Sequence, residues 1–230
     1  IQVAGGADGV HHGSPGGIGG NAIRCVGKYL YDKGIVKKEY MTIETAGGIK
    51  SLLLYTRNGK ANTISVGMGK ADLDAMSLPT TLPGSTIINR PVEIAGGTYH
   101  ITCASVGNPH CVVFCPRVDG VDVEHVGPQF EHAPYFPDRV NTEFIRVVNK
   151  NTIKMRVWER GSGETLACGT GACAVAVACA LNGKTGSQVD VELLGGVLNI
   201  RWDWENDRVY MTGPAVEVYH GEIGLKENNV

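Results

Sequence analysis

A broken internal repeat constrains this chain more than any other feature of its sequence. Gly20-Asn21-Ala22-Ile23-Arg24-Cys25-Val26, running on to Gly34, matches Gly169-Thr170-Gly171-Ala172-Cys173-Ala174-Val175, running on to Gly183, at a constant offset of 149 residues. Each stretch reads as a helix entered through a turn and closed by a terminal glycine. The first is expected to set Val26, Tyr29 and Leu30 on one face, and the second, built almost wholly of Ala, Val and Cys, to be buried all round. Two further matches follow in the same order. Glu44-Thr45-Ala46-Gly47-Gly48-Ile49 pairs with Glu192-Leu193-Leu194-Gly195-Gly196-Val197 at an offset of 148, and Gly69-Lys70-Ala71 with Gly213-Pro214-Ala215 at an offset of 144. They sit among alternating apolar residues such as Met41 and Ile43, or Val189 and Val191, which is a strand pattern. Offsets that shrink slowly are what loop deletions leave in a duplicated domain. The expected fold class is therefore α/β, with two pseudo-symmetric halves. The Pro/Gly-rich stretch from Pro79 to Gly97 reads as the linker, which divides an N-terminal half, 1–97, from a C-terminal half, 98–230. The front of the first half is expected to be short by a few tens of residues, because His110 stands 58 residues before Cys168 (168 − 110) and has no counterpart in the chain.

A net charge of −2 on 230 residues supplies no basic face, which argues against nucleic acid as a partner. No run of eighteen apolar residues is present, so no membrane span is expected. With no signal-peptide pattern, the seven cysteines read as reduced thiols of a cytoplasmic protein. Thirty-two glycines, clustered rather than scattered, suggest loops shaped to hold something small.

The segment richest in chemistry is Glu159-Arg160-Gly161-Ser162-Gly163-Glu164-Thr165-Leu166-Ala167-Cys168-Gly169-Thr170-Gly171. Cys168 precedes a helix, where unpaired N–H groups and partial positive charge are expected to lower a thiol pKa toward neutrality. The N–H groups of Gly169, Thr170 and Gly171 can hold a carboxylate. A base and a carboxylate clamp in one turn are what removal of a proton next to a carboxylate requires. Glu159 adds an orienting acid and Arg160 a second carboxylate contact. The bland alternative is an inert cysteine at the start of a core helix.

A second cluster, Gly107-Asn108-Pro109-His110-Cys111-Val112-Val113-Phe114, offers His110 as a general base or an orienting donor, or else as a satisfied turn histidine. Cys103, His110, Cys111 and Cys115 lack a C-x-x-C pair, and 111, 113 and 115 alternate as strand residues do, so no metal site is expected. In Arg139-Val140-Asn141-Thr142-Glu143-Phe144, Asn141 stands at a strand start, either to bind a polar substrate group or as a turn residue. His11-His12-Gly13-Ser14 reads as a tag remnant and is left out of the mechanism.

Taken together, Gly20 to Cys25, Gly107 to Phe114, Asn141 to Phe144 and Glu159 to Gly171 resemble the diaminopimelate epimerase family. The joint presence of Glu-Arg-Gly-x-Gly-Glu-Thr-x-x-Cys-Gly-Thr-Gly and Gly-Asn-Pro-His is highly specific. The resemblance implies two pseudo-symmetric halves, each a mixed sheet curled around a central helix, with the site between them. It implies interconversion of LL- and meso-diaminopimelate in lysine and peptidoglycan synthesis, without pyridoxal phosphate or metal, by two cysteines facing opposite sides of the α-carbon. It further implies a homodimer. By position, Cys168 looks like one acid/base thiol, with Glu159 and His110 assisting proton movement. Asn108, Asn141, Arg160, Gly169 and Thr170 would bind substrate, as would Gly20 and Asn21 from the first half.

One position departs from the family. The second cysteine directly precedes the Gly-Asn of the first helix, and the repeat points to the same place, but residue 19 is Gly. Cys25 lies about one and a half helical turns further on, roughly 9 Å along the axis, and is no simple substitute. Ala7-Asp8-Gly9-Val10 resembles a later family segment set too close to Gly19. Two alternatives follow: another racemase on this fold, acting on proline, hydroxyproline or histidine, or a paralogue that binds an amino acid without inverting it.

Overall fold

A computed structural model describes residues 20–45 and 47–221; Gly19, Ala7–Val10, His11–Ser14, Ala46 and the last nine residues lie outside the described part. The first half contributes helix α1 (Gly20–Asp32) and strands β1 (Tyr40–Thr45), β2 (Gly48–Arg57) and β3 (Lys60–Gly69). Then come β4 (Arg90–Ile94), β5 (Gly97–Ser105), β6 (Pro109–Phe114), α2 (Val123–Glu131), β7 (Asn141–Asn149), β8 (Thr152–Glu159) and β9 (Gly163–Thr165). The chain closes with α3 (Gly169–Leu181), β10 (Gln188–Leu193), β11 (Gly196–Asp203) and β12 (Arg208–Pro214).

The repeat is visible in three dimensions. The units α1-β1-β2-β3 and α3-β10-β11-β12 share one element order, and the mixed sheet runs β1-β2-β3-β12-β11-β10-β8-β7-β6-β5-β4, so β3 and β12 meet at the junction. Both helices stop in the same way. The Gly34 N–H donates to the Tyr31 carbonyl and the Ile35 N–H to Leu30, and Gly183 and Lys184 do likewise to Ala180 and Cys179. Gly34 and Gly183 take φ of 71° and 64°, the left-handed conformation such helix ends require. The hairpins match too, closing at Thr45↔Gly48 and Leu193↔Gly196.

The sheet is mixed because β6 pairs with β7, and β8 with β10, in parallel, whereas the other neighbouring pairs are antiparallel. It curls around α3, which touches β5, β6, β7, β10, β11 and β12. Every residue of α3 from Gly171 to Cys179 is buried, as its composition requires. One apolar cluster gathers α1 and α3 against both repeat units. A second lies on the other face of β5–β7, under α2.

Two expectations are corrected. Tyr29 is 57 % exposed; the buried face of α1 is Gly20, Ile23, Arg24, Gly27 and Leu30. A Cβ on Gly27 would sit 2.5 Å from Leu52 Cδ2, so the absent side chain brings the helix onto β2. A count of apolar side chains cannot register that. The stretch from Pro79 to Gly97 is not all linker, because Arg90–Ile94 form the edge strand β4, paired with β5 from Arg90↔Ile101 to Ile94↔Gly97. Pro91 is tolerated there because an edge strand can spare an N–H.

The thiols inside α3 make stability pH-dependent. Burial pushes Cys173 up to about 12 and Cys179 to about 12, against an ordinary thiol value of about 8.5. A raised acid pKa leaves this contribution whole below the unfolded value and erodes it as pH climbs toward the folded one. The expected loss is roughly 2 kcal/mol per thiol at about pH 10. Thermal denaturation against pH reads it, and Cys173→Ala should flatten the alkaline fall.

Candidate active site

The site forms where the parallel strands β6 and β7 begin, beneath the first turn of α3. Because the two strands run parallel, His110 pairs with Asn141, and residues two apart share a face. His110 and Glu143 therefore project toward α3, both fully buried. His110 Nδ1 lies 2.7 Å from Glu143 Oε1, and its Nε2 donates to Asn108 Oδ1 at 3.0 Å. Cys168 caps α3 with extended backbone, and its Sγ accepts from the Gly171 N–H at 3.4 Å. Thr170 Oγ1 stands 3.6 Å from the same sulfur. Donor atoms of His110, Glu143 and Cys168 all lie within 4.8 Å of one another. That set has the composition of a metal site, but its closest members already bond to each other through a proton.

The loop after β8 is braced from two sides. Asn141 Oδ1 accepts from the Arg160 N–H at 2.9 Å while its Nδ2 donates to the Pro109 carbonyl at 3.0 Å, which clips two motifs together. Glu131 of α2 accepts from Trp158 Nε1 at 2.7 Å and from the Gly161 N–H at 3.1 Å. Glu159 accepts from the Thr165 hydroxyl. The Arg160 guanidinium reaches the Asp138 carbonyl at 2.9 Å.

The first turns of α1 and α3 face each other. A Cβ on Gly169 would lie 3.4 Å from Asn21 Oδ1, 3.5 Å from Gly20 Cα and 3.0 Å from Met211 Sδ, and one on Gly20 would lie 2.6 Å from Met211 Cε. Glycine at both places permits this approach. Arg24 secures it, donating to Asn21 Oδ1 at 3.1 Å and to the Pro214 carbonyl at 3.2 Å. Gly20, Asn21, Gly169 and Thr170 are thus brought together beside Cys168, and Gly19, the residue before Gly20, lies outside the described part.

The expectation of a lowered thiol pKa is corrected. Burial, then the carboxylates of Glu159 and Glu143, push Cys168 well above the ordinary thiol value, and Thr170 and the Gly171 N–H pull it down by less. The helix end does stabilise the thiolate, but desolvation and two acids outweigh it. Burial and the two acids thus favour the protonated thiol of Cys168 over its thiolate.

Sequence reasoning gave no role to Glu143 or Glu131. The sign that marks Glu143 is structural. This residue is an acid two residues along from Asn141 on a strand whose first five residues are all buried, where an acid seldom lies unless paired.

The family model of diaminopimelate epimerase matches residues 102–218. A diaminopimelate epimerase of Acetivibrio thermocellus is 50% identical over 215 residues, covering 94% of this chain and 77% of that one. That of Desulfovibrio desulfuricans is 51% identical over 216 residues, covering 91% and 75%. Among solved structures, a probable proline racemase from Agrobacterium radiobacter aligns with a TM-score of 0.67 at 14% identity, over 92% of this chain and 69% of that one. A hydroxyproline epimerase from Agrobacterium vitis aligns with a TM-score of 0.63 at 14% identity, over 86% and 63%. At that identity these two likenesses speak for the fold alone, which is the mixed α/β architecture described above. Relatives half-identical along nearly the whole chain speak for more, and with the matching family model they establish that this chain belongs to the diaminopimelate epimerase family.

Proposed function

We propose that this chain is an isomerase that interconverts LL- and meso-2,6-diaminopimelate by cofactor-independent proton transfer at the α-carbon, in lysine and peptidoglycan precursor synthesis. The observation that carries the mechanism is a buried thiol capping α3, set against the first turn of α1. An α-proton is acidic only if the charge that builds on the adjacent carboxylate is stabilised. The N–H groups of Gly169 and Thr170, with Gly20 and Asn21 opposite, offer that stabilisation at two helix N-termini. Cys168 then gives or takes the proton on one face. Glu159 and His110 assist at the thiol, and Asn108, Asn141 and Arg160 bind substrate from the β6–β7 side. Abstraction by Cys168 needs its own proton removed first, and the nearby carboxylate of Glu159 suits that task.

The homodimer rests on the family resemblance and the cytoplasmic location on the reading of the seven cysteines as reduced thiols; no described helix is long and apolar enough to cross a membrane. The test supplies LL-diaminopimelate, L-proline, trans-4-hydroxy-L-proline and L-histidine separately and resolves the stereoisomers by chiral chromatography. Meso-diaminopimelate is the expected product. Preferential turnover of proline, hydroxyproline or histidine would sink the reading.

A further inference from the structure

Glu143 carries no function in the mechanism so far, yet its placement is unusual. It is wholly buried, one carboxylate oxygen bonds His110 Nδ1 at 2.7 Å, and the other, Oε2, has no hydrogen-bond partner. A buried acid left half-satisfied is costly and calls for a reason. The site around it is built to admit it. A Cβ on Gly171 would fall 2.5 Å from Glu143 Oε1 and 3.2 Å from Cys168 Sγ, so glycine in the first turn of α3 is what makes room for carboxylate and thiol side by side.

The hydrogen bonds fix where protons sit. Asn108 Oδ1 is an acceptor, so His110 Nε2 carries a hydrogen. The 2.7 Å contact at Nδ1 then needs a proton of its own between nitrogen and carboxylate. That proton belongs either to an imidazolium facing a carboxylate or to a carboxylic acid facing a neutral ring.

We propose that Glu143 is a positioning residue, which holds His110 in the Nε2–H orientation and shares a single proton with its Nδ1, so that the pair stores one mobile proton beside Cys168. The proposal rests on the epimerase reading only for its consequence on rate. The titratable groups facing Glu143 are His110 and Cys111 from β6, Glu159 from the end of β8 and Cys168 from the cap of α3. Desolvation raises the Glu143 pKa and His110 lowers it, so the proton is contested within the pair. Moving it between Nδ1 and Oε1 leaves the pair neutral, whereas losing it leaves a negative charge next to the thiol.

Histidine-ring NMR on the substrate-free wild-type chain tests this directly. A far-downfield bridging-proton resonance on His110 Nδ1 should persist across neutral pH. Glu143→Gln keeps the shape and removes the shared proton, so that resonance should vanish. Its kcat on diaminopimelate should fall about 10²-fold with KM changed less than about 3-fold, the low end for a proton-transfer group. Gly171→Ala alters no titratable group but displaces the carboxylate, and should reproduce both effects. A wild-type His110 with no bridging proton on Nδ1 would overturn the proposal. So would a Glu143→Gln enzyme with unchanged His110 signals and full kcat. If the wild type turns over no diaminopimelate, the epimerase reading fails, and the NMR result still decides the role of Glu143.

Discussion

Replacing Cys168 by serine should lower kcat for diaminopimelate by about 10³–10⁴-fold, toward the upper end for a general acid/base group, with little loss of stability. The two readouts separate because Cys168 has two separable tasks. Its sulfur accepts from the Gly171 N–H as the cap of α3. A serine hydroxyl accepts that bond at least as well, and caps of this kind are worth about 1 kcal/mol. Proton transfer is another matter, since a hydroxyl gives up its proton far less readily than a thiol. Cys168→Ala should lose kcat to the same degree and also lose the cap, so its melting temperature should fall where the serine variant's does not. A serine variant within about 10-fold of wild-type kcat would remove Cys168 from the chemistry.

Gly19→Cys should raise kcat by about 10²–10⁴-fold, the ordinary contribution of an acid/base group. The repeat makes residue 19 the counterpart of Cys168 at the same offset that relates Gly20 to Gly169. Those two glycines face each other across the junction of α1 and α3. By the family resemblance, a thiol at residue 19 is the partner of Cys168, and the two together take a proton from one face of the α-carbon and return it to the other. Cys25 does not stand in for it, being exposed and more than a turn along α1. If Gly19→Cys folds and its kcat matches that of the parent chain, the two-thiol account of this chain is wrong.

Much of this was legible in the sequence because the repeat is written in local signals. Glycine-closed helices and two-residue hairpin turns are set by backbone conformation within a few residues, so Gly34 with Gly183 and Gly48 with Gly196 marked the matching elements. What escaped was non-local. The seating of α1 depends on the missing side chain of Gly27 against Leu52. The strand β4 exists because β5 offers it an edge, which composition around Pro91 hides. The His110–Glu143 pair spans 33 residues and forms only because β6 and β7 run parallel. The thiol of Cys168 followed the same rule. Its helix-end position was readable, but the burial and the acids that reverse its pKa shift come from β7, β8 and the packing of α3.

The most direct test of the central claim, that Cys168 moves the α-proton of diaminopimelate, is isotope exchange. LL- and meso-diaminopimelate are incubated in deuterated water with the wild-type chain and with the Cys168→Ala variant, and the α-proton signals are followed by NMR. Deuterium should enter the α-position with the wild type, even where inversion is slow for want of a thiol at residue 19, and should fail to enter with the variant. Equal exchange by both proteins, or no exchange by the wild type with either isomer, would contradict the account.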